Sequence, residues 1–404
     1  MPKELSQHSI ALIKATVPAL EAHGLAITRR MYERMFRNEA IRDLFNQSHH
    51  GETGSQPKAL ATAILAYARN IEGLAALAPA VERIAQKHVG LDIRPEHYPH
   101  VAEALLGAIK DILGDAATEE ILAAWGEAYW YLAEVLIARE RAIYGSLAAA
   151  PGGWNGWRDF RVADKRRESD VITSLTLEAA DGGPVLRHRP GQYLTFWLDI
   201  PGHHPLKRNY SISSAPNGQT YRISVKREPM GVVSRWLHDS VEPGAVLKVA
   251  PPTGEFFLRQ AQVRPVVLMS GGVGLTPLMS MLETIAGRDP GPAAHYVHGT
   301  KHGGTHAMGA HVRELAARSG GRIRVTTFYE EPRPEDRQGQ DYDEAGLITV
   351  DWLDRNTDLA EADYFLCGPR AFLRSFVRGL AHAGVAGDRI HYEFFGPADE
   401  LLAA

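Results

Sequence analysis

Two polar side chains stand where helices should be apolar. In Pro79–His88 the apolar residues fall at Val81, Ile84 and Ala85, and the same stripe reaches His88. Further on, Tyr129, Leu132, Ala133, Leu136 and Ile137 share one helix face, and Glu140 falls on it too. Alone, a histidine in an apolar stripe reads as a satisfied core residue, and a chain with 18 histidines has such a position by accident. With Lys87 beside it, and with Tyr98 and Glu140 as an acid and a phenol able to orient the imidazole, His88 also reads as a metal or haem ligand. A second group lies in another helical stretch, Met31–Phe36, where Tyr32 is followed by Phe45-Asn46.

The second half carries a different chemistry. Arg208-Asn209-Tyr210-Ser211 combines a fork-shaped cation, a ring able to stack and a hydroxyl donor. Those groups suit a flavin, whose pyrophosphate needs a cation and whose ring needs stacking and hydrogen bonds. Strand alternation puts Arg208 and Tyr210 on one face and turns Ser211 elsewhere. Gly191-Gln192-Tyr193 upstream and Gly231 to Ser234 downstream, with Val233 between, add to the reading, because the latter precede a helical stretch whose N-terminus suits phosphate. After an apolar run come Gly271-Gly272-Val273-Gly274-Leu275-Thr276-Pro277. Gly272 and Gly274 fit the first two glycines of a dinucleotide loop, and Pro277 stands in place of the third. Cys367-Gly368-Pro369 follows at a distance, and Cys367 taken alone reads as a small core hydrophobe.

These groups require three kinds of scaffold. Helical periodicity runs to about Tyr144, with Pro79 suited to the first turn of the His88 helix and Gly90 to its end. Ala148 to Trp154 reads as a linker of small residues and helix breakers. Val171–Leu177 alternates like a half-buried strand, as do Tyr193–Leu198 and Tyr221–Val225, which predicts a small antiparallel barrel ending near Val263. Then Pro265–Met269, His295–His298, Arg322–Val325 and Tyr364–Cys367 alternate with helical segments, which predicts a parallel doubly wound sheet. The expected class is multidomain: a helical domain at 1–147, a linker at 148–156, an antiparallel β-barrel at 157–263 and an α/β doubly wound domain at 264–404.

Composition sets bounds. At 404 residues the chain exceeds what one hydrophobic core usually serves. A net charge of −4 gives no electrostatic case for a nucleic-acid partner. The single cysteine excludes an intramolecular disulfide and fits a reducing compartment. Met1 to His8 has no basic region followed by an apolar core, and no uninterrupted apolar run is long enough to span a bilayer. A cytoplasmic monomer with no membrane anchor is expected.

Gly271–Pro277 taken with Cys367–Pro369 resembles the ferredoxin-reductase family, whose two modules bind flavin and nicotinamide in this order, and the resemblance implies that Cys367 sits near the nicotinamide ring. Its terminal segment resembles Tyr392-Glu393-Phe394-Phe395-Gly396-Pro397, where an aromatic residue shields the flavin and an acid sits near its reactive edge. From first helix to C-terminus the chain resembles the bacterial flavohaemoglobins, whose globin motif reads here as Tyr32–Phe36, Leu44-Phe45-Asn46 and Ala85-Gln86-Lys87-His88. The resemblance implies a globin with b-type haem joined to FAD and NAD(P)H modules. It makes His88 the proximal iron ligand, with Tyr98 and Glu140 as its hydrogen-bonding partners. Tyr32, Gln56 and Leu60 become the distal pocket, and Phe45 the residue against the porphyrin. Lys87 is either a residue of the haem–flavin approach or a solvated helix residue, and His49 and His50 are read as surface residues.

The activity so implied is nitric oxide dioxygenation, in which nitric oxide, O2 and NAD(P)H are the small-molecule partners and nitrate the product. It would serve nitric oxide detoxification under nitrosative stress. A two-electron hydride donor and a one-electron iron acceptor need a flavin between them, which accounts for the fusion. Two rivals share the residues: an oxygen or nitric oxide carrier or sensor, and a haem–flavin reductase of peroxide or quinone. Lys301 after His298-Gly299-Thr300 is able to pair with a 2′-phosphate, and the choice between NADH and NADPH stays open.

Overall fold

The computed structural model describes residues 4–45, 55–73 and 77–396. Asn46, His49, His50 and Pro397 lie outside the described residues. The N-terminal part is helical, with α1 Gln7–Ala15, α2 Val17–Met35, α3 Glu39–Arg42, α4 Ser55–Arg69, α5 Ala78–Gly90, α6 Tyr98–Leu113 and α7 Glu119–Ala149. Side-chain oxygens of Ser6, Asn38 and Thr118 accept backbone N–H bonds at the starts of α1, α3 and α7. Prolines occupy the first turns of α2, α5 and α6, where their missing N–H has no cost. Ile27 and Met31 of α2, Leu105 and Ile109 of α6, and Trp125 of α7 form the largest helical core cluster. The expected linker begins late, because α7 continues to Ala149. By length and composition α7 is apolar enough to cross a membrane, although Glu127 and Glu134 interrupt its apolar run. The physical reason for its composition is local, since Trp125, Ala128, Ala133 and Leu136 are core residues.

The middle part comprises β1 Arg158–Arg167, β2 Ile172–Ala179, β3 Tyr193–Leu198, β4 Leu206–Ser211, β5 Thr220–Lys226, α8 Val232–Asp239 and β6 Val246–Val249. The antiparallel order is β4-β3-β6-β1-β2-β5, and an Ile212–Ile223 bridge brings the two ends together as a barrel. Its interior is filled by Phe160, Phe196, Tyr221 and aliphatic neighbours. One strand differs from expectation: β2 is buried on both faces from Ile172 to Leu175, where alternation predicted half-burial. The reason is position, because Leu175 packs in the barrel while Ile172 belongs to the core of the next domain.

The C-terminal part alternates β7 Val266–Gly271, α9 Leu275–Ala286, β8 Ala294–Thr300, α10 Gly309–Arg318, β9 Ile323–Tyr329, β10 Glu344–Ala345, α11 Val350–Asn356, β11 Asp363–Cys367, α12 Arg370–His382 and β12 Ile390–Glu393. The sheet is parallel in the order β10-β9-β8-β7-β11-β12. Strand order reverses between β7 and β11, the place where such sheets open a ligand crevice. The predicted three-part class, helical domain, antiparallel barrel and doubly wound sheet, is the fold observed.

Candidate functional site

His88 lies in the last turn of α5, and Glu140 reaches it from α7. Glu140 is 2% exposed, and a buried carboxylate is tolerated only when its oxygens are partnered. Its Oε1 accepts from the Tyr98 hydroxyl at 2.7 Å and lies 2.7 Å from His88 Nδ1, with the Tyr98 oxygen 3.1 Å from the same nitrogen. Tyr129 fixes the base of Tyr98 by donating to its backbone carbonyl at 2.7 Å. Burial first, and then the Glu140 charge, push the Tyr98 phenol well above its usual range, so it remains a donor. With Nδ1–H given to a carboxylate, the imidazole is oriented and Nε2 carries its lone pair outward. Among the described residues no group of three or more His, Cys, Asp or Glu is arranged to hold a bare metal ion. A single oriented imidazole suits an iron whose other ligands come from a porphyrin.

Tyr32 on α2 is 7% exposed, and its hydroxyl bonds the Gln56 side chain of α4. Burial pushes its pKa up to about 12 despite that bond, so it is protonated at neutral pH. Phe45 packs edge-on to Tyr32 at 6.3 Å, and Leu60 joins the same apolar cluster. Tyr32, Gln56, Phe45 and Leu60 therefore come together, as do His88, Tyr98 and Glu140. The two core clusters around them share Leu44, Tyr129 and Leu132.

Between α5 and the C-terminal segment lies a cavity of about 400 Å3, lined by Lys87, Tyr193, Glu393 and Phe394 among others. Burial raises the Glu393 pKa to about 7, with Lys87 and Arg83 opposing and Glu255 adding to the rise. Phe395 is exposed beyond it. In β3–β4 pairing, Tyr193 stands opposite Ser211, which joins two predicted flavin residues. Arg208 and Tyr210 interact on one strand face, as alternation requires, while Asn209 is exposed. Gly231 caps α8, where Val233 packs into the barrel core and the Ser234 hydroxyl accepts from the Glu228 N–H at 3.1 Å.

The glycine loop and the distal Cys-Gly-Pro meet at the switch point. Cys367 pairs with Ser270, and a Cβ on Gly274 would stand 2.1 Å from the Cys367 carbonyl oxygen. Gly272 has φ +54° and Gly271 lies against Pro369. Thr276 and Pro277 are buried in the first turn of α9, and the Thr276 hydroxyl donates to the Val273 carbonyl at 3.1 Å. Cys367 is fully buried, and burial together with the Glu393 charge pushes its thiol up. Sequence reasoning missed Arg83, Glu255 and Lys207. The first two form an ion pair at 3.6 Å across the helical and barrel domains. Only for Lys207 was a signal present: it adjoins Arg208 on a strand and so must face the other way.

The chain matches the Globin family over residues 29–136, the Oxidoreductase FAD-binding domain over 159–258 and the Oxidoreductase NAD-binding domain over 268–378. It is 53% identical to a flavohemoprotein of Xylella fastidiosa strain 9a5c, covering 100% of both chains. A flavohemoglobin from Malassezia yamatoensis, solved with bound FAD and heme, superposes with a TM-score of 0.86 at 27% identity, covering 98% of this chain and 100% of that one. The FAD/NAD-binding domain of a nitric oxide dioxygenase from Vibrio cholerae aligns at 36% identity and TM-score 0.54, over 59% of this chain and 99% of that one. With a globin, an FAD module and an NAD module in one polypeptide, the chain belongs to the flavohaemoprotein family of oxidoreductases, whose cofactors are haem, FAD and NAD.

Proposed function

We propose that this flavohaemoprotein is a nitric oxide dioxygenase that uses NAD(P)H to convert nitric oxide and O2 to nitrate. The observation that carries the reading is the 2.7 Å contact between His88 Nδ1 and the buried Glu140 carboxylate. A carboxylate accepting that N–H enriches Nε2 in electron density, which favours oxygen activation over simple reversible carriage. When bound, the haem iron supplies the site at which O2 and nitric oxide combine, and FAD parts the hydride's two electrons into single ones. The balance is two NO, two O2 and one NAD(P)H giving two nitrate, NAD(P)+ and one proton.

The chain's own residues have separable tasks in this reading. His88 would hold the iron, with Glu140 and Tyr98 fixing its ring. Tyr32, protonated at neutral pH, donates within the distal pocket with Gln56 beside it, while Leu60 and Phe45 exclude water. Tyr193, Arg208, Asn209, Tyr210, Ser211 and the Gly231–Ser234 turn would hold FAD, with Phe394 and Phe395 at its edge. Gly271 to Pro277 and Cys367 to Pro369 would hold the nicotinamide nucleotide. Lys87 and Glu393 stand on two walls of one cavity between those sites. The domains are taken as 1–147, 157–263 and 264–404.

Purified protein is expected to show a Soret band, to take an oxygenated spectrum with NADH under air, and to consume nitric oxide with stoichiometric nitrate. A Soret band without nitrate formation would favour the carrier or sensor. Peroxide or quinone turnover faster than nitric oxide turnover would favour the reductase.

A further inference from the structure

Lys207 is 2% exposed, although it comes from a strand of the barrel domain. Its Nζ leaves that domain and donates to the carbonyl oxygens of Leu44 at 3.1 Å and Leu91 at 3.4 Å. Both acceptors belong to the globin. Leu91 is the residue that caps the C-terminus of α5, three positions after His88. Leu44 immediately precedes Phe45, the aromatic residue beside Tyr32. The ring centres of Trp197 and Trp157 lie 4.6 and 5.1 Å from the same ammonium. A cation at a helix C-terminus meets unsatisfied carbonyls and the negative end of the helix dipole, and two indole faces replace part of its lost water. Burial nevertheless pulls the amine down to about 8, with Asp92 and Asp43 opposing.

The other side of the strand explains why this matters. Arg208 and Tyr210 share the opposite face of β4, so the strand carries the cation and the ring of the flavin motif on one face and the globin contact on the other. Near the same junction α5 comes close to the barrel: a Cβ on Gly90 would stand 3.0 Å from the hydroxyls of Thr195 and Thr253.

We propose that Lys207 is a positioning residue that locks the flavin-motif strand to both the His88 helix and the Phe45 segment, and thereby sets how fast electrons pass from reductase to globin. This inference rests on the electron path of the proposed function. It assigns Lys207 no contact with substrate or cofactor.

The test uses the full-length holoprotein. K207M keeps the aliphatic stem against the tryptophans and removes the charge and the donors. Under anaerobic stopped flow, NADH reduces the flavin at the wild-type rate, FAD and haem contents stay unchanged, and haem reduction slows by about tenfold. Backbone hydrogen exchange across residues 89–93 accelerates, and K207R restores part of the haem reduction rate. Haem reduction within about twofold of wild type overturns the proposal, as does an equal slowing of flavin reduction. If K207M does not fold, amine acylation of the wild-type protein decides. Lys207 then stays unmodified while the exposed Lys58 and Lys248 react. Acylation of Lys207 at their rate overturns the lock. A preparation that holds FAD but shows no haem spectrum refutes the functional reading instead, and acylation still reads the Lys207 contact.

Discussion

At the scale of single residues the molecule is a set of buried polar groups whose partners decide their state. Glu140 is buried with two donors on one oxygen, whereas Glu393 lines a cavity where burial outweighs Lys87 and Arg83 and raises its pKa to about 7. The folded value exceeds the ordinary 4.5, so the folded protein holds this proton more tightly than the unfolded chain. Its contribution to stability is fully present below about pH 4.5 and is lost as pH rises through about 7. Glu393→Gln is expected to gain stability relative to wild type between pH 5 and pH 8, by about 1–3 kcal/mol once solvent in the cavity is allowed for. Urea unfolding of both proteins at equal FAD loading checks this, and a difference that stays flat with pH would sink it. The contrast with Lys207 shows what sequence can reveal at this scale. His88 and Glu140 stood out because each interrupted an apolar stripe in its own helix. Lys207 left only its place beside Arg208 on a strand, and its two acceptors lie 116 and 163 residues away in sequence.

At the scale of elements, glycines and prolines made most of the architecture legible. Pro79 and Gly90 bracket α5, and β7 runs directly into the Gly272–Gly274 turn and α9. Alternation in β4 correctly put Arg208 and Tyr210 together. Alternation failed in β2, because a strand shared by two domain cores has no exposed face to keep polar. The glycine loop shows why its pattern departs from the usual fingerprint. Gly274 is required by the approach of β11, since a side chain there would enter the Cys367 carbonyl. Gly274→Ala is therefore expected to displace the Cys367–Pro369 turn and to destabilise the reductase by about 1–3 kcal/mol. Flavin reduction by NADH should fall by about tenfold or more. The globin Soret band and its reduction by dithionite should remain as in wild type. An unaltered NADH-to-flavin rate would show that α9 and β11 can separate without consequence for the nucleotide crevice.

At the scale of the whole molecule, polar contacts tie each domain to the next. Lys207 joins globin to barrel, and Glu283 joins barrel to doubly wound sheet. Glu283 lies on α9, yet it accepts from the Ala215 N–H at 2.8 Å and from Arg222 at 2.7 Å, both in the barrel domain. His311 of α10 lies 2.8 Å from the same carboxylate. Burial pushes this carboxyl upward, but the His311 and Arg222 contacts and the Ala215 N–H outweigh it and hold the group below its ordinary value. A buried ion pair adds little over an apolar substitute, but removing one partner leaves the other charged and unpaired. Glu283→Ala takes the carboxylate from the Ala215 N–H and from the Arg222 guanidinium, which keeps only its bonds to Ser213, an expected loss of about 1–3 kcal/mol at this partly buried junction. The loss should appear as a change in cooperativity rather than as uniform weakening. In scanning calorimetry of the holoprotein, the barrel and the doubly wound domain should separate into two transitions, with the lower one shifted down by several degrees. Transfer from NADH to flavin should slow, because it needs those two domains in register, while the haem spectrum stays intact. A variant whose reductase still unfolds as one transition at the wild-type temperature would place the coupling elsewhere, in the apolar contact of Ile172 with the α9 core.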